Sequence, residues 1–171
     1  MIRRLLDTLY AAAAYLAALL LIGTLVMVLL GIFGRLLSFQ VPGTDAYAGY
    51  CMAGAGFLAL AHTLARGEHI RVKLILERAG ARARRALELF SYAAASVLAI
   101  AFAYYSVRLS WQSYVLHDVS TGNDAAPLWI PQLAMAAGVV IFAIAFVDQL
   151  VLELRGARPE ETKDEEPAHV E

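Results

Sequence analysis

The ionisable residues in or beside the apolar stretches of this chain are Asp148, Arg108 and His62. A charge inside a bilayer is costly, so such residues mark ion, proton or substrate pathways by default. Here each falls towards the end of an apolar stretch. Asp148 is near the end of the last one, Arg108 is within snorkelling reach of water, and His62 lies one turn before Arg66. None is at the middle of a span, where a proton-coupled carrier would usually need one. A second constellation, His62, Glu68, His69 and Glu77, contains metal-ligand types. His62 and His69 are two helical turns apart, but Gly67 interrupts that spacing and no HExxH or comparable ligand set is present, so no metal site is expected. His117 and Asp118 are neighbours with no nucleophile to serve, and read as solvated loop residues. There is no phosphate loop and no dinucleotide fingerprint, so no cofactor is expected and any energy source lies elsewhere. The single cysteine, Cys51, excludes an internal disulfide and a thiolate cluster; it reads as a small packing residue.

The elements that carry these residues are apolar blocks. Of 171 residues, 60% are hydrophobic and 17% charged, and the mean hydropathy is +0.62. Charge is below the roughly 25% of soluble domains, and the apolar residues come in runs. The expected fold is an all-α integral membrane protein: four transmembrane helices with a short cytoplasmic interfacial helix between helices 2 and 3. The first helix is expected over about 5–37. Residues 8–34 carry no charge, more than the roughly 20 residues a crossing needs. The run is too long for a signal sequence and no small-x-small site ends it. Gly23, Gly31 and Gly34 offer flat places for another helix. Pro42-Gly43 suits the centre of a type II turn, and Thr44 or Asp45 can cap a second helix over about 45–66. On that helix Gly49, Ala53 and Gly56 form a small-residue stripe suited to close helix contact, with Gly54 on an adjacent face. The third helix is expected over about 81–116 and the fourth over about 127–154, opened by Pro127 and Pro131. Tyr104, Tyr105, Trp111, Tyr114 and Trp129 gather at one end of these two, as an aromatic belt does. Residues 1–154 thus form one membrane domain. Residues 155–171 are a Glu-rich, proline-containing tail expected to be disordered and cytoplasmic.

Between the second and third helices runs AHTLARGEHIRVKLILERAGARARR, residues 61–85, with half of the chain's 14 Lys and Arg. Ile70 to Ala79 reads as a short interfacial helix, with Ile70, Leu74 and Ile75 towards the membrane and Gly80 as its stop. Its basic residues suit anionic lipid headgroups. Of the 14 bases, only Arg35 and Arg108 fall on the side opposite this loop and the termini, which predicts cytoplasmic termini.

The run GFLALAHTLARGEHIRVKLILERAGARARRALEL, and above all Arg66-Gly67-Glu68-His69-Ile70-Arg71-Val72, resembles the signature of the small membrane subunit of TRAP (tripartite ATP-independent periplasmic) transporters, the DctQ-like family. Pro127-Leu128-Trp129-Ile130-Pro131-Gln132 supports the match. The family often has an acidic residue where this chain has Lys73, and Glu near the start of helix 2 where this chain has Asp45. The resemblance covers essentially the whole chain except the tail. It implies a bacterial inner-membrane protein that is not an enzyme and does not itself bind substrate. It would scaffold a large, DctM-like membrane subunit during sodium-coupled uptake of an organic acid delivered by a periplasmic, DctP-like binding protein. Gly49, Ala53, Gly56, Arg66, Glu68, His69 and Arg71 are the residues expected at subunit or lipid interfaces; no nucleic-acid partner is expected. A self-sufficient small oligomeric transporter or channel is the alternative. It would need a polar pore-facing stripe or a central carboxylate, and neither stands out. An intramembrane enzyme would need a catalytic set that the chain lacks.

Overall fold

The computed structural model describes residues 2–39, 41–65, 81–122 and 125–155. Four helices account for nearly all of them: α1 Ile2–Leu36, α2 Thr44–Ala65, α3 Ala81–Val115 and α4 Trp129–Arg155. The segment expected as an interfacial helix and the acidic tail lie outside the described residues.

Three of the helices are long and apolar enough to cross a bilayer: Arg3–Leu36, Ala83–Val115 and Trp129–Arg155. The 35 residues of α1 extend about 50 Å at 1.5 Å each, beyond the roughly 30 Å of a hydrocarbon core. The 22-residue α2 is not one of the three. Its glycines and Asp45 dilute its hydropathy, although its length would suffice.

Among the described residues, α1 and α3 end in the same way. Phe39 N–H donates to Gly34 O at 3.0 Å, with Ser38 at φ 57°; Asp118 N–H donates to Ser113 O at 3.0 Å, with His117 at φ 54°. These six-to-one bonds closed by a left-handed residue are Schellman stops. His117 therefore has a geometric duty: it stops α3, and its Nδ1 lies 3.1 Å from Val115 O. Gly43, at φ 81°, supplies the left-handed turn before α2. The fourth helix starts at Trp129, between the two prolines expected to open it. Val119 and Pro127 form an antiparallel bridge, Leu128 N–H donates to Asp118 O and Ser120 N–H to Ala126 O. Pro127 and Leu128 are thereby used in the loop, and Pro131 falls in the first turn of α4, where its missing N–H costs nothing.

The spatial order differs from the chain order: α1 packs on α2, α2 on α4 and α4 on α3, with only a marginal touch between α1 and α4. Facing residues give the directions. Gly23 meets Cys51 and Gly31 meets Thr44, so α1 and α2 are antiparallel. Gly54 meets Ala134 and Gly138 meets Phe57, so α2 and α4 are parallel. Ala99 and Ala103 share a cluster with Ala143 and Val139, and Tyr114 stacks edge-on to Trp129 at 5.6 Å, so α3 opposes α4. Successive helices alternate in direction. The turns at 37–43 and 116–128 lie at one end of the bundle, and Ile2 and Arg155 lie with the ends of α2 and α3 that flank residues 66–80 at the other.

The core is made of small residues. Ala13, Ala17, Ala55, Ala61, Ala99, Ala136, Ala143 and Ala145 are buried, while Leu58 and Val139 are the largest fully buried side chains. Large apolar residues point outward instead: Leu19, Leu21, Ile22, Phe90, Leu98 and Leu116 are each more than half exposed. Such a surface suits lipid, because lipid tails give helices no hydrophobic reason to associate and leave close van der Waals packing to do it.

Candidate assembly surface

The small residues of α2 divide between two faces. Gly54 faces inward: a Cβ there would stand 2.9 Å from Leu20 Cδ1 and 3.2 Å from Ala134 Cβ, so α1 and α4 both press on it. Gly49, Ala53 and Gly56 face outward and are exposed, with Met52 among them at 66% exposure. A Cβ added at Gly49 or Gly56 would meet nothing within 4 Å. The predicted stripe is therefore one continuous face, and it has no partner among the described residues. It bares helix backbone on the side of α2 that looks away from α1 and α4.

The structure uses another seam that sequence reasoning did not pick out. Ser96, Ala99, Ala103, Ser106, Ser110 and Ser113 are all buried on one side of α3, spaced alternately three and four residues apart. Their serines behave sterically as alanines. Ser96 Oγ donates back to Tyr92 O at 2.7 Å and Ser110 Oγ to Ser106 O at 3.1 Å, which satisfies the hydroxyls within the helix. Ser106 Oγ and Gln132 Oε1 are buried without a hydrogen-bond partner. The flat places on α1 also have occupants: Gly23 lies against Cys51 Sγ and Gly31 against Thr44 Oγ1, at 3.3 Å and 3.2 Å from the Cβ each glycine lacks.

Arg66, Glu68, His69 and Arg71, the basic-motif residues named from the sequence, lie outside the described residues, as does Glu77. Among the described residues no three of His, Cys, Asp and Glu come together as a metal site would require. Arg108 is exposed on α3; His62 and Asp148 are half-buried on α2 and α4. Tyr10 is 4% exposed, packed with Ala61, Leu64 and Ala145, and its hydroxyl has no hydrogen-bond partner. Among the described residues no nucleophile, base and orienting group come together. What α2 presents is a flat, apolar, small-residue face with open space over its glycines.

No curated protein matches the sequence. The profile of one family does, that described as tripartite ATP-independent periplasmic transporters, DctQ component, and it covers residues 24–156. That span takes in α2, α3, α4, the outward stripe and the basic loop. It makes the chain a transmembrane transport protein that belongs to the DctQ component family of tripartite ATP-independent periplasmic transporters.

Proposed function

We propose that this chain is the small membrane subunit that holds a large, DctM-like, substrate-moving subunit in place. The large subunit would take up an organic acid with sodium, delivered by a DctP-like periplasmic binding protein. The observation that carries the scaffold reading is the outward face of Gly49, Ala53 and Gly56, an exposed small-residue surface on a helix otherwise gripped by α1 and α4. In lipid such a face gains by meeting another helix, because bare backbone allows close approach. The partner in this reading is a helix of the large subunit.

In this reading α2 is a fourth span. It runs antiparallel to α1 and parallel to α4, and its mild hydropathy suits a helix flanked on three sides by protein. Residues 1–154 are the membrane domain and 155–171 an acidic tail. The chain sits in a bacterial inner membrane with both termini, and a short interfacial helix near residues 70–79, on the cytoplasmic side. The segregation of Lys and Arg supports that orientation. Arg66, His69 and Arg71 contact lipid phosphates, the acidic Glu68 and Glu77, or the large subunit, for which the planar fork of arginine is suited. Reporter fusions placed after Arg85 and after Gly122 are expected to report opposite sides of the membrane, with Arg85 cytoplasmic. The same side for both would end the topology.

The function itself is tested by reconstitution. Vesicles holding this chain, the large subunit and the binding protein are expected to accumulate an organic acid when sodium is higher outside. Vesicles lacking this chain should lose assembly and uptake together. Uptake by this chain alone would overturn the scaffold reading in favour of a self-sufficient transporter.

A further inference from the structure

A cavity of about 390 Å³ opens at the Arg35 end of the bundle, where the first span ends. Its polar lining is Arg35, Thr44 and Asp45, and its apolar wall includes Leu30, Phe39 and Val41. Four observations point to an amphipathic ligand carrying both charges. The Arg35 guanidinium and the Asp45 carboxylate are 3.9 Å apart, at the limit of an ion pair, and their side chains are 83% and 90% exposed. Each keeps most of its hydrogen-bonding capacity for something else. Thr44 is 8% exposed and lines the cavity, and its hydroxyl has no hydrogen-bond partner among the described residues. The first α2 amide bonded within the helix is that of Tyr47, which donates to Gly43 O at 3.0 Å. The N–H groups of Thr44, Asp45 and Ala46 are thus left at the positive end of a 22-residue helix. Finally, α1 exposes Leu29, Phe33 and Leu36, the sequence neighbours of the cavity-lining Leu30, Gly34 and Arg35.

We propose that this cavity binds the headgroup of a phosphatidylethanolamine lipid. Its phosphate is held by Arg35, the Thr44 hydroxyl and the first amides of α2. Its ammonium is held by Asp45, and its glycerol and upper acyl chain lie against Leu30, Phe39 and Val41. A helix N-terminus with an arginine suits phosphate through charge-assisted hydrogen bonds. The carboxylate beside it is what makes the site zwitterionic: it repels a purely anionic headgroup and pairs with an ammonium. The inference concerns this chain alone and does not depend on the proposed partner subunits.

The test uses the full chain purified in detergent, with retained lipid read by native mass spectrometry and Tm followed as lipid is added. Wild type is expected to retain phosphatidylethanolamine in preference to phosphatidylglycerol, and Tm should rise with the former. Arg35→Gln should lower phosphatidylethanolamine occupancy about fivefold, the effect of one base at a membrane surface. Arg108→Gln, which removes an exposed base of α3, should change nothing. Asp45→Asn should keep lipid binding but erase the preference over phosphatidylglycerol. That readout needs only folded protein, so it decides the matter if Arg35→Gln fails to purify. Equal occupancy in wild type and Arg35→Gln would overturn the proposal. So would a preference for phosphatidylglycerol in wild type, or a Tm rise with inorganic phosphate alone and no lipid retained.

Discussion

Gly138→Leu will cost the chain its folded core, and Gly138→Ala will weaken it in the same direction. A Cβ at Gly138 would stand 2.6 Å from Phe57 C and 2.8 Å from both Leu58 N and Phe57 O. All three are backbone atoms of α2, so no side chain can rotate out of the way. The two helices must separate. The separation spreads, because α4 is the hub: Val139 and Ala143 pack towards α3, and Ala145 towards α1 and α2. Small residues can be packed this tightly only while the backbones stay close, and in lipid that closeness is most of what holds helices together. Overpacking of a well-filled core costs about 1–3 kcal/mol and occasionally more, with Ala near the low end and Leu beyond it. The readout is Tm and the monodisperse fraction recovered in detergent. An unchanged Tm for Gly138→Leu would mean that α2 and α4 do not meet as described. Gly54→Ala is a graded control. Its nearest neighbour is the far end of Leu20, which can move, so its loss should be smaller.

The four helices were legible because hydropathy and charge mark them at low resolution: uncharged runs, Pro-Gly before α2 and prolines around the start of α4. What the linear pattern could not supply was which face meets which neighbour. Gly49, Ala53 and Gly56 attract notice by their spacing, but spacing defines a face and not its occupant; within this chain that face is open. Gly138, where backbones do press together, belongs to no conspicuous run. The α3 seam was hidden for a different reason. Four of its six members are serines, which a hydropathy reading treats as polar, yet bonds such as Ser96 to Tyr92 O turn a serine into a small packing residue. A search for small residues at alternating spacings of three and four would have found it. The start of α4 at Trp129 falls between the two prolines expected to open it, and its exact residue is set by Pro127 and Leu128 pairing across the loop with residues 118 and 119, a contact that no local signal announces. The basic motif Arg66-Gly67-Glu68-His69-Ile70-Arg71-Val72, the most specific stretch in the sequence, lies outside the described residues, so its assignment to the interface rests on the proposed function.

Gly49→Leu combined with Gly56→Leu should leave the chain folded and abolish its assembly with the large subunit. The two positions lie on one face two turns apart, with open space where each side chain would grow. Nothing in the chain is displaced, so its own stability should stay within about 0.5 kcal/mol, as for surface substitutions elsewhere. A partner helix lying on bare backbone would meet two isobutyl groups instead. It would be lifted by a few ångströms along the stripe, and close contacts across Met52 and Ala53 would go with it. The expected result is a Tm near that of wild type for the chain alone, together with at least about a tenfold fall in co-purified large subunit, or roughly 1.4 kcal/mol or more. Uptake in vesicles should fall in proportion to assembly. The paired measurement separates this face from Gly138, where the chain's own Tm falls first. Co-purification unchanged in the double variant would remove the α2 face from the interface and leave the basic loop as the contact to test next. A large fall in the Tm of the isolated chain would instead show that the face is occupied from within.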